Sequence, residues 1–339
     1  MPFSQLEMTE VARPDYVIRG ESIVTSLCRQ NTILVTGSEE GNIKLYDTQI
    51  MRPTASWIAH KAQVMGLKAL DSGGVMSQGR EGGLALWKEG QCVRSCSVPS
   101  TGFCRFALSD DQRHCFLGLD EKSKVACVDA VKLNVVKTFQ PADFNRKGMC
   151  WSLTVRGNYV YLGYESGHIV LFDRRNLSTQ VLEVKVHDEI VTTLDVRDNK
   201  IISSSPDSTI KITSLTTEGI ASDNSLQDTP SKTNQPNSPL EAIVGSLNSS
   251  SSKEKISAET PYTIPLKCQG SSQIRIRPDG KLFAASGWDG GLRLYSVKKY
   301  KLLGLIEAHC PETITDMITF DNRIICSGRD CKISFWTFY

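Results

Sequence analysis

Three histidines that each precede an acidic residue by about 20 positions are the residues whose types and spacing could do chemistry in this chain. The pairs are His60 with Glu81, His187 with Asp207, and His309 with Asp330. An imidazole beside a carboxylate could belong to a metal site or a nucleophilic triad, or it could brace two strands through a hydrogen bond. The choice between these roles depends on the elements that position the pairs.

The cysteines and glycines do not supply the rest of a metal or nucleotide site. Eleven cysteines are scattered through apolar stretches, and neither Cys92 with Cys96 nor Cys326 with Cys331 has the spacing of a zinc knuckle. We therefore expect reduced cysteines that pack as small apolar side chains, in the cytoplasm or the nucleus. No glycine-rich phosphate loop opens a helix, so we expect no metal, no cofactor, no small-molecule substrate and no catalytic residue.

The composition argues against several classes of partner. The chain has 39 Lys and Arg against 37 Asp and Glu, a balance that gives no net field to hold nucleic acid or an anionic membrane. No stretch approaches the roughly 18 apolar residues of a membrane span. Residues 1–14 contain no apolar run of a secretion signal, so we expect a short tail there and a chain that is not exported.

A four-residue motif, aliphatic-x-aliphatic-aromatic, recurs along the chain. Its clear copies begin at Ile43, Leu84, Ile169, Leu292 and Ile333, and weaker copies begin at Val125 and Ile210. The successive starts are 41, 41, 44, 41, 82 and 41 residues apart. A period of about 40–45 residues, with alternation inside each copy, is typical of the four-stranded blades of a β-propeller.

The turns and the chain ends complete the fold prediction. Copies follow turns such as Gly79-Arg80-Glu81-Gly82, so each copy is predicted as the third strand of its blade. The last copy leaves its blade one strand short, and Tyr16–Arg19 is predicted to close the ring. The predicted fold class is all-β, a seven-bladed propeller over residues 15–339. Its blades cover residues 21–50, 51–90, 91–132, 133–178, 179–266, 267–300, and 301–339 with 15–20.

The interval of 82 residues holds either an eighth blade or an insertion in blade five. Residues 216–260 are rich in Ser, Thr, Asn and Pro, a composition too polar to repay the entropy of ordering. A disordered insertion is therefore predicted, with residues 262–264 resuming as the fourth strand. Within it, Thr229 and Ser238 precede prolines and are candidate phosphorylation sites.

The repeats resemble the WD-repeat family, whose blades carry a His before the first strand, an acidic residue in the second turn and Trp-Asp after the third strand. The resemblance implies that the histidines brace strands, so losing one should cost stability. The structural set assigned in this way is His60, Glu81, Trp87, His187, Asp207, Asp289, His309, Asp330 and Trp336. It also implies a rigid platform that binds proteins. A propeller hydrolase would need convergent carboxylates or metal ligands, which the sequence does not indicate.

Side chains beside the second turn of each blade, and in the loop that leads into it, are predicted to face a partner. Trp and Arg are enriched at binding hot spots, and Trp288, Arg329 and Arg80 fall on one arc of blades. Packing of Trp288 over a neighbouring loop is the alternative. For Phe103 and Trp151, at the starts of blades three and four, burial is favoured over display. The partner-binding candidates are Arg80, Trp288, Arg329, Glu39, Glu165, Phe103 and Trp151.

Several segments resemble the family of the G-protein β-subunit-like protein 1 and the fungal ASTRA-associated WD protein. They are residues 16–20, 77–80, 102–105, 163–167, 274–281 and 285–289. The resemblance implies an adaptor that works with the Tel–Tti complex and RuvB-like ATPases in the maturation of phosphatidylinositol-3-kinase-related kinases. A generic propeller subunit, such as a ubiquitin-ligase substrate receptor or a signalling β-like subunit, is the alternative. A G-protein β subunit proper would need an amino-terminal coiled-coil helix, which the 15 residues before Tyr16 cannot supply.

Overall fold

The structure, a computed structural model, describes residues 13–121, 123–218 and 255–338. Seven antiparallel sheets surround a central channel as the blades of a propeller, which confirms the predicted fold class. The one helical element of these residues is a 3-10 turn at Phe144–Arg146. Within the same residues, no helix is long and apolar enough to cross a membrane.

The strands of each blade follow one another from the channel outward. The chain begins with β1 (Tyr16–Arg19) and continues into blade one, which consists of β2 (Val24–Gln30), β3 (Ile33–Ser38), β4 (Asn42–Asp47) and β5 (Arg52–Ile58). Blade two consists of β6 (Val64–Ala69), β7 (Val75–Gly79), β8 (Gly83–Lys88) and β9 (Gln91–Ser97). Blade three consists of β10 (Ala107–Leu108), β11 (His114–Gly118), β12 (Val125–Asp129) and β13 (Asn134–Phe139).

The second half of the ring repeats this order. Blade four consists of β14 (Cys150–Arg156), β15 (Tyr159–Tyr164), β16 (His168–Asp173) and β17 (Asn176–Lys185). Blade five consists of β18 (Thr193–Arg197), β19 (Lys200–Ser205), β20 (Thr209–Glu218), β21 (Lys255–Ala258) and β22 (Tyr262–Pro265). Blade six consists of β23 (Ser271–Ile276), β24 (Leu282–Gly287), β25 (Leu292–Ser296) and β26 (Leu302–Ile306). Blade seven consists of β27 (Ile314–Phe320), β28 (Arg323–Gly328) and β29 (Lys332–Thr337), with β1 outside them.

The first strand of the chain closes the ring, as predicted. In β1, Tyr16 pairs with Phe335 and Ile18 pairs with Ile333 in an antiparallel register. Ile18 is buried in the same apolar cluster as Phe335. The outer edge of β29 is therefore covered by β1, and the two ends of the described chain are joined in one sheet.

The third strands are apolar because both of their faces are covered. In β16, Val170 and Phe172 pack toward blade three, whereas Ile169 and Leu171 pack toward blade five. Aromatic side chains fill the gap between blades three and four, where the rings of Phe139 and Phe172 meet edge-on with centroids 4.9 Å apart. This burial on both faces explains the recurring aliphatic-x-aliphatic-aromatic motif, and all seven copies form the third strand of their sheets.

The structure corrects the predicted limits of the blades. The fourth strands β5, β9, β13 and β26 pair with the third strand before them, although the predicted ranges assigned each to the following blade. The strand β17 crosses the predicted limit at residue 178. The repeat shows how long a blade is but not where in the sequence each blade begins. A fourth strand follows the third strand through a tight turn and is joined to the next blade by a longer loop, so it belongs to the blade before it.

Blade five has ordered strands at both ends of the predicted insertion. The long strand β20 pairs with β21 through Leu215 and Ala258, and with β22 through Ile212 and Tyr262. The fourth strand therefore resumes where predicted, but the limits 216 and 260 are too wide. Leu215 and Ile256 are buried in the cluster between blades four and five, which offsets the polar composition near these ends. Residues 219–254, with Thr229 and Ser238, lie outside the described residues.

Candidate functional site

The histidine of blade two forms a relay of hydrogen bonds that ties together a loop, a turn and two strands. His60 Nδ1 lies 2.6 Å from Glu81 Oε1, and His60 Nε2 lies 2.7 Å from Ser77 Oγ. Trp87 Nε1 donates to the same Ser77 Oγ at 2.8 Å. Gly79 makes room for the relay, because a Cβ there would lie 2.3 Å from His60 Nδ1. These contacts are those of a structural brace.

Blade seven repeats the relay with a serine from another strand. His309 Nδ1 lies 2.8 Å from Asp330 Oδ1, and Ser334 Oγ lies 2.8 Å from both His309 Nε2 and Trp336 Nε1. Ser334 belongs to the third strand, whereas Ser77 belongs to the second. The serines were not identified from the sequence, since a lone Ser in a strand gives no signal.

Blade five has the same histidine–acid pair without the tryptophan. His187 lies 2.9 Å from both Asp207 Oδ2 and Ser203 Oγ. Thr213 stands at the place of the tryptophan, and its buried hydroxyl has no hydrogen-bond partner among the residues that the structure describes. Burial lowers the pKa of His187 despite the neighbouring Asp207 carboxylate. Burial lowers the pKa of His309 in the same way, so both imidazoles are neutral at neutral pH.

Blade six replaces the histidine with an arginine. The guanidinium of Arg293 pairs with both oxygens of Asp289, at 2.5 Å for Nη2 and 3.0 Å for Nη1. The pair holds the pKa of the Asp289 carboxyl below its usual value. Asp289 is thus the structural turn acid that was predicted. Its partner was missed, because Arg293 lies inside a third-strand motif and not before the first strand, where the histidines of the other blades lie.

The bracing histidines and the cysteines were the sequence candidates for metal chemistry. Both ring nitrogens of each bracing histidine are occupied, and no group of three His, Cys, Asp or Glu residues in this part could hold a metal ion. All eleven cysteines are free thiols. Burial raises the pKa of the Cys28 thiol to about 12, which leaves it unreactive at neutral pH.

Three side chains from three blades form a continuous stack on the face that carries the turns between second and third strands, which we call the turn face. The Arg80 guanidinium lies over the Phe103 ring, with Cζ 4.5 Å from the ring centroid. The Phe103 ring is stacked on Trp151, with centroids 4.9 Å apart and 12° between the planes. We call Arg80, Phe103 and Trp151 the aromatic–arginine stack. Its apolar and cationic groups are of the kind enriched at protein-binding hot spots.

Glu165 holds the inner end of this stack. Its Oε1 accepts a hydrogen bond from Trp151 Nε1 at 3.0 Å, and its Oε2 accepts one from the Met149 backbone amide at 2.9 Å. Gly148 adopts a φ of +71°, and a Cβ there would lie 2.3 Å from Glu165 Oε2. Glu165 was predicted to face a partner, but in the structure one of its carboxylate oxygens binds the Trp151 indole and the other binds the Met149 backbone amide.

The structure also corrects the expectation for the two aromatic residues. Burial was favoured, yet 51% of the Phe103 side chain is exposed and Trp151 is half-buried. The loop that leads into blade three places Phe103 outside the blade interior, where Phe106 and Cys104 are buried instead. The sequence shows the aromatic residues near the rim. It does not show which residue of the loop turns inward.

The other predicted partner-binding residues lie on the same face but apart from one another. Trp288 is 36% exposed and borders the channel mouth together with Phe103 and Trp151. Its ring lies over Gly270 in a neighbouring loop. Trp288 is therefore packed against this loop, as in the alternative prediction, and is at the same time partly exposed to solvent. Glu39 and Arg329 are exposed at the turns of blades one and seven and are not part of the channel lining.

The seven sheets and the histidine–acid relays define this chain as a seven-bladed β-propeller with the features of WD40 repeats. The WD domain, G-beta repeat family matches residues 13–47 and 266–296. The fold resembles the β-propeller domain of Cps50 (Swd1) from Myceliophteria thermophila, with a TM-score of 0.74 and 14% identity over 96% of this chain and 99% of that chain.

Two relatives that align over nearly their whole length indicate which group of propeller proteins the chain is similar to. The chain is 26% identical to the mouse guanine nucleotide-binding protein subunit beta-like protein 1, over 96% of each chain. It is 25% identical to ASTRA-associated protein 1 of Schizosaccharomyces pombe, over 97% of this chain and 100% of that protein. The resemblance inferred from the sequence is therefore confirmed.

Proposed function

We propose that this chain captures a partner protein on the turn face, with the aromatic–arginine stack as the centre of the contact. The observation that carries the proposal is the exposed Phe103 ring, held rigidly between Arg80 and Trp151. A fixed aromatic surface loses little conformational freedom when a partner binds, which favours affinity. Within the described residues Arg80 forms no ion pair, so its charge is available to a partner.

The name of one relative supports a proposal for the class of partner. One of them is named for its association with ASTRA, and the similarity extends over nearly the whole of both chains. We propose that this chain, like the family it resembles, is an adaptor for the Tel–Tti complex and RuvB-like ATPases in the maturation of phosphatidylinositol-3-kinase-related kinases. The same proposal assigns it to the cytoplasm or nucleus, an assignment that eleven free thiols support.

Affinity purification of the intact chain, followed by mass spectrometry, tests this proposal. We expect Tel–Tti subunits and large kinases with the natural chain, and their loss with the Arg80→Ala/Phe103→Ala double variant. A matched control is Val131→Ala/Lys132→Ala, which removes an exposed apolar and an exposed cationic side chain from blade three, away from the turn face. Recovery of cullin-ligase components alone would contradict the kinase-maturation assignment and favour the substrate-receptor alternative.

A further inference from the structure

The central channel carries more positive charge than the composition of the chain suggests. Its volume is about 580 Å³, within the range of small-molecule sites. The charged residues of its lining are five cations, Lys68, Arg105, Arg156, Arg197 and Arg275, and two acids, Asp195 and Asp316. The lining therefore has an excess of three positive charges (five minus two), although the whole chain has a net charge of only +2. The nearly equal numbers of acidic and basic residues in the sequence therefore do not show the excess of positive charge in the channel.

The two acids of the lining are occupied by contacts within the fold. Asp316 accepts hydrogen bonds from the Leu27 amide and pairs with Arg105, both at 2.8 Å. Asp195 accepts one from the Ile276 amide at 2.8 Å and pairs with Arg156 at 3.8 Å. Both acids thus join the inner strand of one blade to that of the next. They leave most of the positive charge of the channel without compensation.

Lys68 and Arg275 occupy the same position on two inner strands. Each is the fifth residue of its strand, Lys68 in β6 of blade two and Arg275 in β23 of blade six. Among the described residues, neither forms an ion pair. The surrounding protein lowers the pKa of the Lys68 ammonium group and the Arg275 guanidinium lowers it further, whereas the carboxylates of Asp316 and Asp195 act in the opposite direction. Both cations line the same channel without a paired carboxylate among the described residues, so an anion between them would be attracted to both.

We propose that the central channel binds a compact, multiply phosphorylated anion between Lys68 and Arg275, with Arg197 adding positive charge around it. Guanidinium and ammonium groups are the protein groups best suited to phosphate oxygens. The cations stand in the wall of the channel and not on the turn face, which favours a small anion over a polypeptide. This site is separate from the aromatic–arginine stack and does not rest on the proposed function.

Calorimetric titration of the full chain with inositol hexakisphosphate tests the site, with inorganic tripolyphosphate as competitor. We expect binding that tripolyphosphate displaces and that Lys68→Met or Arg275→Gln weakens by roughly tenfold or more, because each removes a charged hydrogen-bond donor. Lys132→Met and Arg113→Gln, two exposed cations of blade three, are the matched controls and should bind as the natural chain does.

A second measurement does not depend on the variants. The anion should raise the melting temperature of the natural chain, since a ligand that binds only the folded state stabilises it. Vesicles carrying a phosphoinositide lipid identify the source: capture that requires Lys68 assigns the anion to a lipid headgroup, and no capture assigns it to a soluble molecule. No heat and no thermal shift with millimolar anion, equal weakening by the control variants, or binding of an acidic peptide alone would overturn the proposal.

Discussion

The ring of Phe103 lies face to face with the ring of Trp151, although the two residues come from neighbouring blades. The contact forms only when blades three and four pack correctly, so the exposed aromatic surface depends on the rigidity of the propeller. Arg80 covers the outer face of this pair, and Glu165 fixes the indole nitrogen at the other end. Four residues from three blades thus give one fixed surface.

Replacing Trp288 and Arg329 tests how far the binding surface extends along the turn face. We expect Trp288→Ala/Arg329→Ala to abolish partner capture while the melting temperature barely changes, because both side chains are exposed. Pull-down and thermal denaturation of the same preparation give the two values. Unfolding of the double variant would show that packing of Trp288 over Gly270 is its main role.

Replacing a bracing histidine should affect stability and not partner affinity. We expect His187→Ala to lower the free energy of unfolding by about 2–4 kcal/mol, because it leaves Ser203 and Asp207 without their partner in a buried setting. Denaturant titration measures the change, and His114→Ala, which removes a half-buried histidine that belongs to none of the relays, should cost less. Equal losses for both variants would contradict the bracing role.

Acid should destabilise the fold in two steps. The pKa values of His187 and His309 are lowered by burial, so the unfolded chain binds more protons as the pH falls below about 6.5, and stability decreases there. The pKa values of Asp207 and Asp330 are also lowered, so their contribution is lost only below about pH 4.

The histidine step can be isolated with a variant. His187→Gln should unfold more easily at neutral pH, yet show a shallower loss of stability between about pH 6.5 and 5 than the natural chain. Denaturant titrations across this range measure the slope. An unchanged slope in the variant would mean that His187 is not the group that titrates.

The arginine of blade six should behave as a substitute for the missing histidine. In a double-mutant cycle with Asp289→Asn and Arg293→Met, we expect a coupling energy of about 1–2 kcal/mol. This value lies between the coupling energies typical of fully exposed and of fully buried ion pairs. The Arg293 side chain is only 8% exposed, whereas that of Asp289 is 43% exposed. A coupling near zero would show that the two side chains brace blade six independently.

The sequence predicts what depends on local periodicity. The copies that begin at Ile43 and Ile333 are third strands because burial on both faces imposes the same alternating pattern on each. The pair of His309 and Asp330 was predictable because its spacing recurs in two other blades. Closure by Tyr16–Arg19 followed from the strand that blade seven lacked.

Contacts between blades were beyond the reach of that pattern. In blade six, an arginine pairs with the turn acid where the repeat pattern predicts a histidine. The stack of Phe103 on Trp151 depends on which residue of the loop turns inward. The charge of the channel comes from residues such as Lys68 and Arg275. They are distant in the chain and line the same channel only when the ring closes. The net charge of the whole chain does not show this local excess of positive charge.

A photo-crosslinking phenylalanine analogue at position 103 tests the central claim most directly. A matched position is 198, in the exposed turn between the first two strands of blade five, on the face opposite the turn face. We predict that irradiation of cells links the partner to position 103 and not to position 198. Crosslinks from position 198 alone would contradict capture on the turn face.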